Sequence, residues 1–579
     1  MNGIDQTQSF HALLSRSPMV ASPIGSQVVM STAKPDSIGQ YLINRLYATG
    51  VRHVFGVPGD YILGFYDLMV RSAIRHIGTT REDCAAFAAD GYARCQGVGA
   101  LAVTYGVGAL NTVNAIAGAY AESSPVIIIS GAPGIKEQQD DPLLHHRFGP
   151  FTFQREIFER ITCATVVLDD PVIAFRQIDH ALNAARRFCK PVYIEIPRDR
   201  VLVEGYPLPC EAYNPFVSDE TALTEAVAEA LQILNSATSP AVLAGIECHR
   251  RGLQTKLVEL VNRAGLPVAA TLTGKSVISE RHPAYLGIYE GAMSSEYARY
   301  IVEQSDSLLM LGVTLNDIDT GIYTTKLDPQ KIIRAAQDEV VIRSHRFPKV
   351  RLTDFVTTLA KSLETRSVKF ASAAATLTAD EFPLANTAIT NQRLIGRLNQ
   401  ALSAEFIVVC DVGDCLFAAI DLRVHEQSEF LSSSFYTTMG FAVPAALGAQ
   451  IARPDRRVLI LVGDGAFQMT GTELATYAHL GLDPIVVVFN NRGYSTERCI
   501  LEGPFNDISD WRFDRLGEVF GPMQGYAAAS EEAFEKALNQ SLKNCGQPSL
   551  INVHLAADDS SSAMKRLTEH LKSRVKSST

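Results

Sequence analysis

Hydrophobic residues in this chain come in short, largely apolar runs, most of them closed by a glycine, proline or asparagine and followed by a stretch of helical periodicity. From residue 34 to 205 the runs are Val51 to Val57, Leu101 to Tyr105, Val126 to Ser130 and Val192 to Ile196. From 218 to 365 they are Ala241 to Ile246, Val268 to Thr271, Leu308 to Leu311 and Ile332 to Ala336. From 387 to 556 the clearest are Val458 to Val462 and Pro484 to Phe489. Runs that are apolar at most successive positions, rather than only at alternate ones, belong to strands covered on both faces, which is the situation in parallel sheets flanked by helices. The pattern predicts an α/β chain of three doubly wound parallel-sheet domains in series, at 34–205, 218–365 and 387–556. Gly205 to Val217, with its three prolines, and Arg366 to Asn386, rich in Ala, Ser and Thr, read as the linkers between them.

Both ends depart from this rhythm. Residues 1–33 are Ser-rich, lack the apolar core of a secretory signal, and read as a flexible tail in which Met30 looks like an alternative start. At 560–579, Met564, Leu567, Leu571 and Val575 recur at helical spacing among lysines and arginines, predicting a short basic amphipathic helix that docks by its apolar side and closes over a site.

Length and composition narrow the classes. At 579 residues the chain exceeds one hydrophobic core, and 47% hydrophobic with 20% charged residues describes a soluble globular protein. A net charge of -10 without a basic patch argues against nucleic acid or an anionic membrane as the main partner. No apolar run reaches the ~18 residues of a membrane helix. Ten cysteines lie scattered with no CxxC pair, which suggests neither zinc nor a disulfide framework and fits a cytoplasmic setting.

Two loops carry the first candidate chemistry. The strand Val458 to Val462 empties into Gly463, Asp464 and Gly465; the strand ending at Phe489 empties into Asn490, Asn491, Arg492 and Gly493. With a helix expected at 471–480 between them, the unit is βαβ, so both loops leave the same carboxyl edge of the sheet, where α/β proteins hold ligands. A carboxylate, a carboxamide and bare glycine backbone are hard oxygen donors suited to Mg²⁺ that keeps part of its shell for phosphate. An ordinary αβ turn with a capping aspartate is the alternative for the Gly-Asp-Gly taken alone.

This unit resembles the signature of thiamine diphosphate enzymes. Together with Phe55-Gly-Val-Pro-Gly-Asp60-Tyr61, Glu82 followed by Phe87 and Gly91-Tyr92-Ala93-Arg94, Ala119-Tyr120-Ala121-Glu122, Ser130-Gly-Ala-Pro133 and His145-His146, it falls in the order and spacing of the pyruvate and indolepyruvate decarboxylase family. The resemblance runs from residue 34 to about 556. It implies the thiamine diphosphate-binding fold, thiamine diphosphate and Mg²⁺ as cofactors, and a homodimer or homotetramer whose active sites lie between subunits. By the same resemblance Asp464, Asn491 and the carbonyl of Gly493 hold the metal. Gly413, Asp414, Gly465, Ala466 and Tyr494 contact the cofactor, the Thr437 carbonyl holds its 4′ nitrogen, and Met439 wedges beneath it. Without the resemblance Met439 reads as core filler.

Glu82 is placed by the resemblance against N1′ of the aminopyrimidine, where a carboxyl group favours the tautomer that forms the reactive ylid. An ordinary helix-start glutamate is the plainer reading. Asp60, His145, His146 and Glu497 form the expected cluster for the proton movements that follow loss of CO₂. A His-His pair on its own fits a surface pair or half of a metal site equally. The implied reaction is non-oxidative decarboxylation of a 2-oxo acid to an aldehyde. Leu416 and Thr496 stand where pyruvate-restricted members tend to carry an aromatic and an isoleucine; with Ile500 they point to a pocket for larger, aromatic or branched substrates. Pyruvate decarboxylation proper, an acetolactate synthase-like carboligase and a non-catalytic assembly protein are the alternatives. The central domain shows no dinucleotide fingerprint and reads as structural support.

Overall fold

The computed structural model describes residues 36–206, 216–366, 386–425 and 429–577. The expected tail at 1–33 and most of both linkers lie outside these. The first sheet has six parallel strands in the spatial order Arg75–Gly78, His53–Gly56, Gly99–Val103, Val126–Ala132, Val192–Pro197 and Ala164–Val167. The third sheet repeats that order strand for strand: Glu429–Ser432, Phe406–Cys410, Arg457–Gly463, Ile485–Asn490, Ser549–His554 and Gln524–Ala528, again all parallel. In each, the chain passes from its first strand to an outer one and returns on the other side for its third. The loops after strands one and three therefore diverge and open a crevice at the carboxyl edge.

The central sheet differs from the all-parallel expectation. Its seven strands end in an antiparallel pair, Glu339–Ile342 and His345–Pro348, beyond Ile332–Ala336. Those strands are short and only alternately buried, so they lack the continuous apolar signal of the interior strands.

Why the interior strands read as unbroken apolar runs is visible in the third sheet. Val409, Ile460, Val462, Val486 and Val488 point into a core shared with the first domain, while Val408, Leu459, Leu461, Ile485 and Val487 point into a core shared with the central domain. Period-two alternation puts successive residues on opposite faces, and both faces are covered.

The first and third domains meet through topologically equivalent helices. Glu82–Gln96 and Ala442–Ala452, each following the second strand of its sheet, lie against one another so closely that a Cβ on Gly91 would stand 2.0 Å from the Ala445 carbonyl oxygen. A Cβ on Gly448 would stand 1.8 Å from that of Ala88. Only glycine permits this approach. Beside the contact, the buried Arg94 pairs with Asp90 at 2.8 Å and Glu122 at 3.0 Å and donates to the Ser432 carbonyl. Glu122 in turn accepts the backbone N–H groups of Phe435 and Tyr436. The first domain thus fixes a loop of the third.

The terminal helix forms over Ser562–Ser577 and buries Ala563 and Leu567. Arg566 donates to the Met293 carbonyl and pairs with Asp421, so the helix bridges the central and third domains. Among the described residues no helix is long and apolar enough to cross a membrane.

Candidate active site

In the third domain the sheet edge delivers the two expected loops side by side. The intervening helix does not start at 471 as expected: it begins at Asp464 itself, runs to Thr470, and continues after a 3₁₀ turn as Leu474–Leu480. The Asp464 side chain takes the N–H of Gly465 at 2.8 Å on Oδ1, which favours an immediate start. Its Oδ2 accepts from Arg492 N–H at 2.6 Å, tying the two loops together. The residue is 2% exposed, and burial pushes its carboxyl up to about 6 against three backbone N–H groups and Arg498 that act the other way.

Asn491 is 6% exposed, and its Oδ1 is buried without a hydrogen-bond partner among the described residues. A buried amide oxygen is seldom left so, and a bound cation is one reason for it. A carboxylate held in a desolvated setting and an orphaned carboxamide oxygen on adjoining loops are the donors Mg²⁺ takes, and the ion's charge would reverse the burial effect on Asp464. The residues fit the metal. Gly493 is closed by its surroundings, since a Cβ there would meet the Asn506 carbonyl oxygen at 2.3 Å; Gly465 is closed by the Tyr494 ring at 2.6 Å. Ala466 is buried beside them.

At the crevice of the same sheet, Gly413 adopts φ +121° in open space. Asp414 turns its carboxylate away to Ser561 N–H and Asn391 Nδ2, anchoring the segment before the terminal helix. Asp411, which sequence reasoning passed over, accepts from the N–H groups of Val412, Gly440 and Ala442 and so shapes the loop carrying Thr437 and Met439. Thr437 stands at φ +54°, a strained setting for a β-branched residue. Met439 is half-buried against the core shared by the first and third domains.

The first domain assembles the other group of residues. Glu82 opens its helix and accepts from Asn111 Nδ2 at 2.9 Å on Oε2. Asp60, on the loop after the first strand, accepts from His145 Nε2 at 2.9 Å, while Tyr61 stacks on the His145 ring. The ligating atoms of Asp60, His145 and His146 all lie within 4.8 Å of one another, and His146 Nδ1 is buried with no partner among the described residues. Two residues missed from sequence complete the cluster. Arg198, just past the strand Val192–Pro197, binds Glu137 and stands 3.5 Å from Asp60.

Asp60, His145 and His146 are therefore brought together, and so are Asp464, Asn491 and Gly493. Glu497 is exposed on the turn Ser495–Arg498 beside the second loop. Within one chain, among the described residues, no hydrogen bond or ion pair joins Glu82, Asp60 or the two histidines to Asp464, Asn491, Gly493 or Glu497. The three pocket candidates differ in burial: Leu416 is 1% exposed in the core, Thr496 is half-buried, and Ile500 is 81% exposed.

A doubled parallel sheet with buried oxygen donors on one copy and an acid-imidazole cluster on the other is the arrangement that the resemblance to thiamine diphosphate enzymes implies. Comparison with known families agrees: the chain matches the N-terminal TPP binding domain of thiamine pyrophosphate enzymes over residues 36–157, their central domain over 227–363 and their C-terminal TPP binding domain over 411–553. It is 36% identical over 540 residues to an indole-3-pyruvate decarboxylase of Azospirillum brasilense, covering 92% of this chain and 98% of that protein. It is 35% identical over 497 residues to an alpha-keto-acid decarboxylase of Mycobacterium leprae, covering 84% and 86%. With pyruvate decarboxylase 3 of Arabidopsis thaliana it shares 32% over 534 residues, covering 90% of each. The chain belongs to the thiamine pyrophosphate-dependent 2-oxo acid decarboxylase family.

Proposed function

We propose that this protein converts 2-oxo acids larger than pyruvate, aromatic or branched, to aldehydes and CO₂, using thiamine diphosphate and Mg²⁺ at sites formed between subunits of a cytoplasmic homodimer or homotetramer. The observation that carries the cofactor assignment is the unpartnered Oδ1 of Asn491 beside the buried Asp464. Asp464, Asn491 and the Gly493 carbonyl would hold the metal. When bound, the cofactor supplies a nucleophilic carbon and an electron sink for the pair released with CO₂.

The chain's own groups then handle protons and orientation. Glu82, with Oε2 occupied by Asn111, keeps Oε1 for a single ring nitrogen. Asp60 holds the Nε2 proton of His145, and the free Nδ1 of His146 is available to give or take a proton at the reacting carbon. Glu497, exposed on the turn beside the metal loop, would stand next to the departing carboxylate. Sites between subunits are supported by the lack of any hydrogen bond or ion pair joining the two groups among the described residues of one chain and by exposed apolar side chains close to each in sequence: Val107 and Leu143 for the first, Ile500, Leu501 and Phe505 for the second. Mixing chains carrying Glu82→Gln with chains carrying Asp464→Ala should then restore activity that neither has alone. The preference for larger substrates rests on Leu416 and Thr496, each smaller than the side chain typical of pyruvate-restricted members; such contacts discriminate by only about 1 to 3 kcal/mol, so overlap is expected.

A coupled aldehyde assay with pyruvate, 4-methyl-2-oxopentanoate, phenylpyruvate and indolepyruvate, with thiamine diphosphate and Mg²⁺ added or withheld, tests both parts. Cofactor-dependent aldehyde with the highest kcat/KM on a larger acid is the expected result. A tenfold advantage for pyruvate would overturn the substrate assignment, and no cofactor-dependent product would overturn the function.

A further inference from the structure

Arg498 ends the single turn Ser495–Arg498 and folds its guanidinium back under the metal loop. Nη1 donates to the Asn491 carbonyl at 3.3 Å, and Nη2 donates to the Arg492 carbonyl at 3.2 Å and to Asp507 Oδ1 at 2.7 Å. The side chain is 11% exposed although it carries a full charge. Glu502 also stands 3.8 Å from Nε, beyond hydrogen-bond reach.

The backbone that Arg498 holds is one that would not keep its shape unaided. Arg492 lies at φ +60°, a left-handed conformation that costs a non-glycine residue and persists where surrounding bonds over-determine it. Here its N–H is taken by Asp464 and its carbonyl by Arg498. The layer behind is fixed by the same guanidinium: Tyr494 N–H bonds the Asn506 carbonyl, Gly493 and Asp507 pair in an antiparallel bridge, and Asp507 closes on Arg498. The carboxamide of Asn491 and the carbonyl of Gly493 are thus presented by a peptide run clamped on both sides.

We infer that Arg498, clasped by Asp507, is a positioning residue that pre-forms the Asn491–Gly493 metal loop before Mg²⁺ and thiamine diphosphate arrive, so that cofactor affinity depends on a side chain that touches neither. The inference rests on the proposed function above. Groups behind a metal ligand commonly set its affinity by about 10- to 100-fold.

Calorimetric titration of the full-length apoprotein with thiamine diphosphate at fixed Mg²⁺, and with Mg²⁺ at saturating thiamine diphosphate, reads the effect without recourse to turnover. Arg498→Ala is expected to weaken both by about tenfold or more. Arg498→Lys, which keeps charge but not the fork, should recover only part. Asp507→Asn, at a position 66% exposed and safe for folding, should shift both the same way, and the double variant should be no worse than Arg498→Ala, since the two act as one unit. Should Arg498→Ala not fold, Asp507→Asn decides the matter by the same titration. Affinity within twofold of wild type in Arg498→Ala, or full recovery by Arg498→Lys with no effect of Asp507→Asn, would overturn the clasp. Failure of the wild type itself to take up cofactor would instead overturn the function on which the inference rests.

Discussion

Asn111 Nδ2 donates to Glu82 Oε2 at 2.9 Å, which leaves Oε1 as the one carboxyl oxygen free to address a ligand. The role proposed for that oxygen is proton transfer rather than adhesion. Glu82→Gln is expected to lower kcat by about 10²- to 10⁴-fold with little change in cofactor affinity, and Asn111→Ala to lower it by a smaller factor. Steady-state aldehyde formation measured beside calorimetric cofactor titration checks the split; equal losses in both would reduce Glu82 to a binding group.

Asn491→Leu should act with opposite signs on the empty and loaded protein. Removing a buried oxygen that lacks a partner relieves a penalty of about 1–3 kcal/mol, so the apoprotein should be as stable as wild type or more so. Stabilisation by added Mg²⁺ and thiamine diphosphate, about 2.7 kcal/mol for wild type at a hundredfold excess over Kd, should vanish. Denaturant unfolding with and without the additions resolves the two effects.

The crossing of Glu82–Gln96 over Ala442–Ala452 allows no side chain at its closest points. Gly448→Ala would drive a Cβ to 1.8 Å from a backbone oxygen that belongs to another helix and cannot rotate away. Overpacking ordinarily costs about 1–3 kcal/mol, and with backbone on both sides the cost should reach the top of that range or beyond. Denaturant midpoints for Gly448→Ala and Gly91→Ala, compared with Gly396→Ala, where nothing lies within 4 Å, provide the measurement.

Glu195, buried in the strand Val192–Pro197, has its carboxyl pushed up to about 7 by burial, although the Tyr193 hydroxyl donates to it at 2.6 Å. Its folded value lies above its unfolded one, so the folded state binds the extra proton. The stability this confers is complete below about pH 4.5 and is lost as pH rises through about 7. Glu195→Gln, which retains an acceptor for Tyr193, should remove that loss: its denaturation midpoint should fall less than wild type between pH 5 and pH 8, and exceed it at pH 8.

Much of this architecture was legible in the residues because buried parallel strands advertise themselves. Val458 to Val462 and Ile485 to Phe489 are unbroken apolar runs for the reason that each face of their sheet meets a different domain. The strands Tyr285–Ile288, Glu339–Ile342 and His345–Pro348, at the two margins of the central sheet, carry no such run, being only partly buried, and were not anticipated. The helix start at Asp464 was hidden by flanking glycines, which lower helix propensity; a side chain bonding its own neighbour's N–H supplied what propensity lacked. Asp464, Asn491, Asp60 and the histidines announced themselves by local motif. Asn111, Glu137, Arg198, Asp411 and Asp507 did not, since each matters through a partner fixed only by the tertiary fold.

Backbone lying on backbone at Gly91 and Gly448 leaves no cushion of side chains where the helices Glu82–Gln96 and Ala442–Ala452 cross, and a shared core fills the space around that crossing. The two travel as one slab, with no hinge to flex between them. Admission of substrate and escape of product are therefore left to the rims, the stretch around Leu143 to Phe148 and the stretch from Ser495 to Ile508, where large apolar side chains such as Leu143, Ile500 and Phe505 stand exposed. Variants that speed or slow exchange with solvent should gather at those rims, and the slab beneath should tolerate almost none.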